Sequence, residues 1–266
     1  MPSSETSPIL YDVQEGVARL TLNRPEVFNA LDFDTLELLA ECALEATLDD
    51  QVGAILITGA GKAFSAGGDV RALFALASSE APSRDAMKAI GRMHEAMVTL
   101  FRCPKPVVAA VNGATAGAGL GLMMTADVIW AARSAHFTVA FTAIGASPDG
   151  GTTFLLPRLV GPKLAAELVL TNRRLDAEQA LAAGLVSQVL DDESLLAKAE
   201  GTARCLAAGP SGAFASAKEL MRRSVYQGYE AQLEEERRFM GRSVAGDEFK
   251  EGVQAFLEKR TPRFGR

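Results

Sequence analysis

The 266-residue chain has only two histidines and three cysteines, and neither type recurs at a metal-binding spacing. Cys42, Cys103 and Cys205 lie far apart, are odd in number and form no CxxC pair. Free buried thiols in a reducing compartment are therefore expected, not a disulfide framework. His94 and His136 have no ligand spacing around them, so no metal is expected. No G-x-S-x-G elbow occurs, and neither histidine has a matching serine–acid context for nucleophilic hydrolysis. Basic residues are in deficit, 27 against 33 acidic, for a net charge of −6. That balance argues against nucleic acid or an anionic membrane as the main partner.

The opening "MPSSETSPIL" lacks a basic region followed by an apolar run, so no secretory signal is expected there. The stretch 107–126 is nearly free of charge and nominally long enough to cross a bilayer. It is built from Gly, Ala and Thr, is broken by "NG", and lacks flanking aromatic anchors. A buried strand and a buried helix joined by a tight turn are predicted instead. No membrane partner and a cytoplasmic location follow.

What is present is an α/β pattern. "VARLTLNRP" (17–25) alternates and stops at a proline, as a half-buried strand does. "VGAILITG" (52–59), "KPVVAAVNG" (105–113) and "DVIWAA" (127–132) are short apolar runs typical of strands covered on both faces. Helical spacing behind an acidic first turn marks 32–50. Strands alternating with helices imply crossovers and mostly parallel pairing. From about Asp191 four amphipathic helix candidates follow one another, separated by glycine breaks. The expected organisation is a core over 1–190 and a helical region over 191–266 for oligomerisation and completion of the active site.

Two glycine-rich turns each follow a buried strand: "AFSAGGDV" (63–70) and "NGATAGAGLGLMM" (112–124). Small residues there let backbone N–H groups approach a ligand, and a helix start adds unpaired N–H groups. Two such groups meeting at one point would hold an oxyanion. Tight strand–helix packing is the better reading of either turn taken alone. Gly117, Gly119 and Gly121 have GxGxG spacing, which departs from the dinucleotide fingerprint. In "SPDGGTTFLL" a lone acid, Asp149, sits at a helix start. It reads as a helix cap or as a group that moves a proton.

Taken together, these motifs resemble the enoyl-CoA hydratase/isomerase (crotonase) superfamily. The resemblance rests on "LNRPEVFNAL", "KAFSAGGDV", "KPVVAAVNGATAGAGLGLMMTADVIWAA", "PDGGTTFLLPRLVG", "LDAEQALAAGLVSQV" and "AFLEKR", in the family's order. It implies a spiral of ββα units with a helical C-terminal trimerisation region, and a homotrimer or a dimer of trimers. It implies a coenzyme A thioester as substrate and no separate cofactor. The family's oxyanion-hole donors fall on Ala66 and Ala118. Ala66, Gly67, Gly68 and Asp69 match the contacts to the CoA arm, and Arg24 and Phe28 match the loop flanking the nucleotide. Phe256 and Lys259 match the C-terminal residues that reach a neighbour's adenine and phosphate site.

Where a typical hydratase of the family has two glutamates, this sequence has Gly121 and Phe141. Syn addition of water needs carboxyl groups at those places. Asp149 instead matches the single acid of isomerase branches, among them the 1,2-epoxyphenylacetyl-CoA isomerases of phenylacetate degradation. The resemblance therefore implies an acyl-CoA isomerase that moves a double bond, or rearranges an epoxide, through a thioester enolate. Asp149 would carry the proton, with Phe141 as an apolar neighbour. The alternatives are a hydratase relying on Asp149 alone and a CoA-binding relative without turnover.

Overall fold

The computed structural model describes residues 6–264. Its larger sheet has six strands: β1 (Ile9–Gln14), β2 (Val17–Leu22), β3 (Ala54–Gly59), β5 (Val107–Val111), β7 (Val128–Ala132) and β10 (Gln188–Leu190). They lie in the order β1-β2-β3-β5-β7-β10, antiparallel in the first pair and parallel thereafter. The antiparallel pair turns at Glu15 and Gly16, both at positive φ, as a two-residue hairpin requires. Of the apolar runs read as covered strands, β5 is buried at every position and β3 at all but its last, while β7 leaves Val128 and Trp130 half-buried on one face.

A second sheet is made of β4 (Ala63–Ser65), β6 (Ala114–Ala116), β8 (His136–Thr138) and β9 (Leu175–Asp176), in that order. Each of β3, β5 and β7 thus passes through a tight turn into β4, β6 or β8 before the chain continues into a helix or a short helical turn. This repeated step is the spiral of ββα units that the resemblance implied.

The helices of the first two-thirds are α1 (Phe33–Leu48), α2 (Val70–Ala77), α3 (Pro82–Arg102), α4 (Gly117–Met123), α5 (Thr152–Val160), α6 (Pro162–Thr171) and α7 (Ala177–Ala182). α1 starts where its acidic first turn suggested, with the Asp32 side chain accepting the Thr35 N–H at 3.0 Å. The uncharged stretch 107–126 resolves into β5, β6 and α4. Among the described residues no helix is long and apolar enough to cross a membrane.

Four helices close the chain: α8 (Asp192–Ala207), α9 (Ser211–Ser224), α10 (Tyr229–Ala245) and α11 (Asp247–Leu257). The helical region expected from 191 therefore begins with a helix that belongs to the core. α8 buries Leu195, Ala199, Ala203 and Ala207 along one face, and that face covers β2, β3, β5 and β7. The break falls after it, at Gly209–Pro210. α9 is pinned to the sheet by Lys218, whose buried ammonium pairs with Asp127 and donates to the Lys105 carbonyl at 2.7 Å. α10 buries no residue, and Met221, Tyr226, Tyr229, Met240, Phe256 and Leu257 leave apolar surface exposed across α9–α11. Cys42 and Cys103 are buried as expected. Cys205, on the outer side of α8, is exposed.

Candidate active site

The first glycine turn leaves β4 at Ser65 and runs beside residues 28–31, which act as an extra rung. Ala66 N–H donates to the Phe28 carbonyl at 2.9 Å, Leu31 N–H to the Gly67 carbonyl at 2.7 Å, and Asp69 N–H to the Leu31 carbonyl at 3.0 Å. These bonds make Leu31 and Gly68 a parallel bridge pair, with the Gly68 N–H on the opposite side from the rung. That N–H has no acceptor among the described residues. The expectation for Ala66 needs correcting here, because its N–H is already committed to Phe28. The unpartnered donor of this turn is Gly68.

The second turn enters α4, whose N-cap is Ala116 with no side-chain cap bond. Ala118 lies in the first turn, where an N–H has no intrahelical partner, and none is found for it among the described residues. The two turns touch. A Cβ on Gly67 would lie 2.7 Å from the Ala116 carbonyl oxygen and 3.1 Å from the Ala118 nitrogen. Gly67 also has φ +88°, so glycine is needed on both counts. Phe141, 9% exposed, forms an apolar flank, with its ring 3.9 Å from the place a Gly117 Cβ would take.

Asp149 lies in the loop before α5. It is not the cap of that helix. The N-cap is Gly151, at φ +76°, and the Thr152 N–H goes to the Asp149 backbone carbonyl at 3.0 Å. The Asp149 side chain is left free, and its Oδ1 is buried without a hydrogen-bond partner. Burial pushes its carboxyl above the ordinary aspartate range, and positive charge on nearby His94 of α3 offsets part of the effect. An uncapped, desolvated carboxyl of this kind is poised to exchange a proton. Next to it, a cavity of about 360 Å³ opens between α3 and α5, lined among others by His94, Met97, Phe101, Gly150, Phe154 and Tyr226.

The structure brings Arg24, Phe28, Gly67, Gly68 and Asp69 into one neighbourhood, but two of them are occupied with each other. Arg24 pairs with Asp32 at 3.0 Å and Asp69 at 3.4 Å, and donates to the Ala30 carbonyl at 2.6 Å. The Asp69 carboxylate also caps α2 by accepting the Arg71 and Ala72 N–H groups. Phe28 is 56% exposed at the rim. Phe256, 83% exposed, and Lys259 lie at the end of α11, which packs on α10. Among the described residues neither has a side-chain hydrogen bond or ion pair to the turns or the Asp149 loop.

The pattern of the enoyl-CoA hydratase/isomerase family matches residues 12–266. The chain belongs to that family. The 1,2-epoxyphenylacetyl-CoA isomerase of Escherichia coli K12 is 40% identical over 257 residues, covering 96% of this chain and 97% of the relative. A trans-2-decenoyl-[acyl-carrier-protein] isomerase of Streptococcus mutans is 35% identical over 260 residues, covering 96% and 97%. The crystal structure of an enoyl-CoA hydratase from Polaromonas sp. JS666 superposes with a TM-score of 0.92 at 35% identity, covering 97% of this chain and 99% of that one. Enoyl-CoA hydratase/isomerase relatives thus include both reaction types. Sequence reasoning named Gly68 only as a CoA contact and read His94 only for metal spacing, so it found neither the free donor of the first turn nor the imidazole beside Asp149. Met93, Met97 and Leu100 stand at i, i+4 and i+7 on α3, a helical stripe readable in the sequence but not used.

Proposed function

We propose that this enzyme is an acyl-CoA isomerase that relocates a double bond, or rearranges an epoxide, through a thioester enolate. The observation that carries the reading is the Asp149 carboxyl, half-buried, unpartnered at Oδ1 and not used as a cap. In the proposed reaction the Asp149 carboxylate takes a proton from the carbon next to the thioester. The electron pair left behind moves onto the thioester oxygen, where the Gly68 and Ala118 N–H groups hold the negative charge. As the enolate collapses, the same carboxyl returns the proton two carbons further along. One acid suffices because it is base in the first half and acid in the second. Neither Gly121 nor Phe141 supplies a second carboxyl group to activate water. Relatives at the same 40% identity carry isomerase and hydratase names, so the reading rests on the site residues.

The substrate handle is the CoA arm, with Gly67 and Gly68 beside the thioester and Arg24, Phe28 and Asp69 around the nucleotide. Phe256 and Lys259 are proposed to act on a neighbouring subunit, which fits their exposure and the uncovered apolar surface of α9–α11. The assembly is then a homotrimer or a dimer of trimers, and a stable monomer in light scattering at micromolar concentration would overturn this part. The test of the reaction is an acyl-CoA panel of linear 3-enoyl, 2-enoyl and ring-epoxide thioesters, read for isomerisation and hydration in parallel in deuterated water. Isomerisation is expected, with deuterium entering the carbon two positions further along as product forms and the carbon next to the thioester as the first step reverses. Hydration without isomerisation would refute it.

A further inference from the structure

Asp149 needs a route by which its proton reaches water. Its Oδ1 is buried without a partner, and burial favours the neutral form of the acid. A proton picked up between turnovers would therefore stay on it and leave the site without a base. The way out lies toward α3, which runs past the loop. A Cβ on Gly150 would lie 3.8 Å from Met93 Cε and 3.1 Å from Met97 Cε. His94 stands three positions before Met97 and neighbours it on the helix surface. There it lines the cavity of about 360 Å³ that opens beside Gly150 and Gly151. Its side chain is exposed and makes no hydrogen bond or ion pair among the described residues.

The other polar groups on that wall are Arg102, Thr125 and Tyr226, and the rest is apolar side chain and glycine backbone. A guanidinium cannot take up a proton, an alcohol or a phenol releases one reluctantly, and an imidazole does both readily. The Thr125 hydroxyl is moreover committed to the Leu122 carbonyl at 2.7 Å. Of the side chains facing the cavity, only His94 suits the passage of a proton.

We propose that His94 carries protons between Asp149 and water, resetting the acid between turnovers and fixing how much solvent hydrogen enters the product. The proposal rests on the role proposed for Asp149. The Asp149 O–H gives its proton to a neutral imidazole nitrogen, within hydrogen-bond reach or through one water. The other ring nitrogen then releases a proton to solvent, and the same steps in reverse return a solvent proton to the carboxylate. No charge is gained or lost over the cycle. The imidazolium formed midway is held by the carboxylate it has just ionised. His94 thus acts through Asp149, as a relay, and takes no proton from carbon itself.

The experiment compares wild type and His94→Gln in single turnovers in deuterated water, with the linear 3-enoyl-CoA or ring-epoxide thioester that wild type isomerises. Mass spectrometry reads deuterium per product molecule. Glutamine keeps a polar side chain at an exposed position, so the fold should survive, but it cannot pass a proton on. Deuterium per product is expected to fall by about tenfold, short of the 10²–10⁴-fold of a group that transfers the proton itself, because water still leaks to Asp149. A merely structural defect moves the reading the other way, since slower turnover gives the held proton longer to exchange. Equal or greater deuterium in the His94→Gln product would overturn the proposal and leave the role of Asp149 standing. So would a His94→Gln enzyme without turnover, because returning the proton to carbon needs no relay. Wild-type product free of deuterium would overturn it too, since no proton would then pass between Asp149 and water. Wild type that does not isomerise would instead refute the role of Asp149, and the relay with it.

Discussion

Ser65 lies against Gly119 across the seam between the two glycine turns. A Cβ on Gly119 would come within 2.6 Å of the Ser65 Cβ and 2.7 Å of its carbonyl oxygen. The Ser65 hydroxyl accepts the Gly67 N–H at 3.2 Å and donates to the Asn29 carbonyl at 2.8 Å. One buried serine thus sets the spacing between the turn that carries Gly68 and the helix that carries Ala118. Gly119→Ala is expected to part the two donors while leaving their chemistry unchanged. Turnover should fall by about 10²–10³-fold, the usual cost of losing one oxyanion donor, with CoA affinity retained. Parallel calorimetry and steady-state kinetics check this, and an equal loss of affinity and turnover would point to general disruption.

Asp149→Asn should bind CoA like wild type and lose about 10²–10⁴-fold in isomerisation, because an amide cannot take a proton from carbon. Deuterium exchange next to the thioester should stop with it. Folding should survive, since the side chain caps nothing. Retained exchange would show that another group carries the proton.

The same substitution should raise stability at neutral pH. Burial holds the folded-state pKa of Asp149 above its unfolded value. Below the unfolded pKa the carboxyl is neutral in both states, and its favourable contribution is complete. As pH rises through the folded pKa that contribution is lost, because the folded chain must then shelter a charge that the unfolded chain solvates. Asp149→Asn should therefore melt above wild type at about pH 8, with the gap closing toward about pH 4, near the ordinary aspartate value. On the kinetic side, kcat/KM should fall on an acid limb lying above the ordinary carboxylate range. Thermal melts at several pH values and a pH–rate profile test the two halves separately.

Lys218→Met should loosen the C-terminal helices from the sheet. It leaves Asp127 without its cation while Asp127 still accepts the Val107 N–H at 2.8 Å. Breaking a buried pair costs roughly 3–5 kcal/mol, and Asp127 is partly open to water, so about 2–3 kcal/mol is expected. Urea unfolding at fixed protein concentration measures it. Light scattering should show whether the proposed assembly through α9–α11 is lost with it.

The apolar runs of β3 and β5 were legible because burial on both faces leaves a local mark. The glycines at 67 and 119 were legible as close approaches, though not what they approach. Which N–H of the first turn stays free was not legible locally. Residues 28–31, more than thirty positions earlier, claim Ala66 and leave Gly68. Asp149 was ambiguous for the same reason, since a cap and a free carboxyl share the same "PDGG" and differ only in where the side chain turns. α8 looked like its successors because each amphipathic helix carries one apolar stripe. Only tertiary contact tells a stripe on the sheet from one facing outward.

The uneven exposure of the three thiols makes the chain its own gauge of integrity. Cys205 stands open on α8 while Cys42 and Cys103 are sealed in the interior. A thiol reagent therefore meets one fast-reacting site in the native protomer and three in the unfolded chain. Counting modified sulfurs separates a variant that has lost its chemistry from one that has lost its core, without any substrate in the tube.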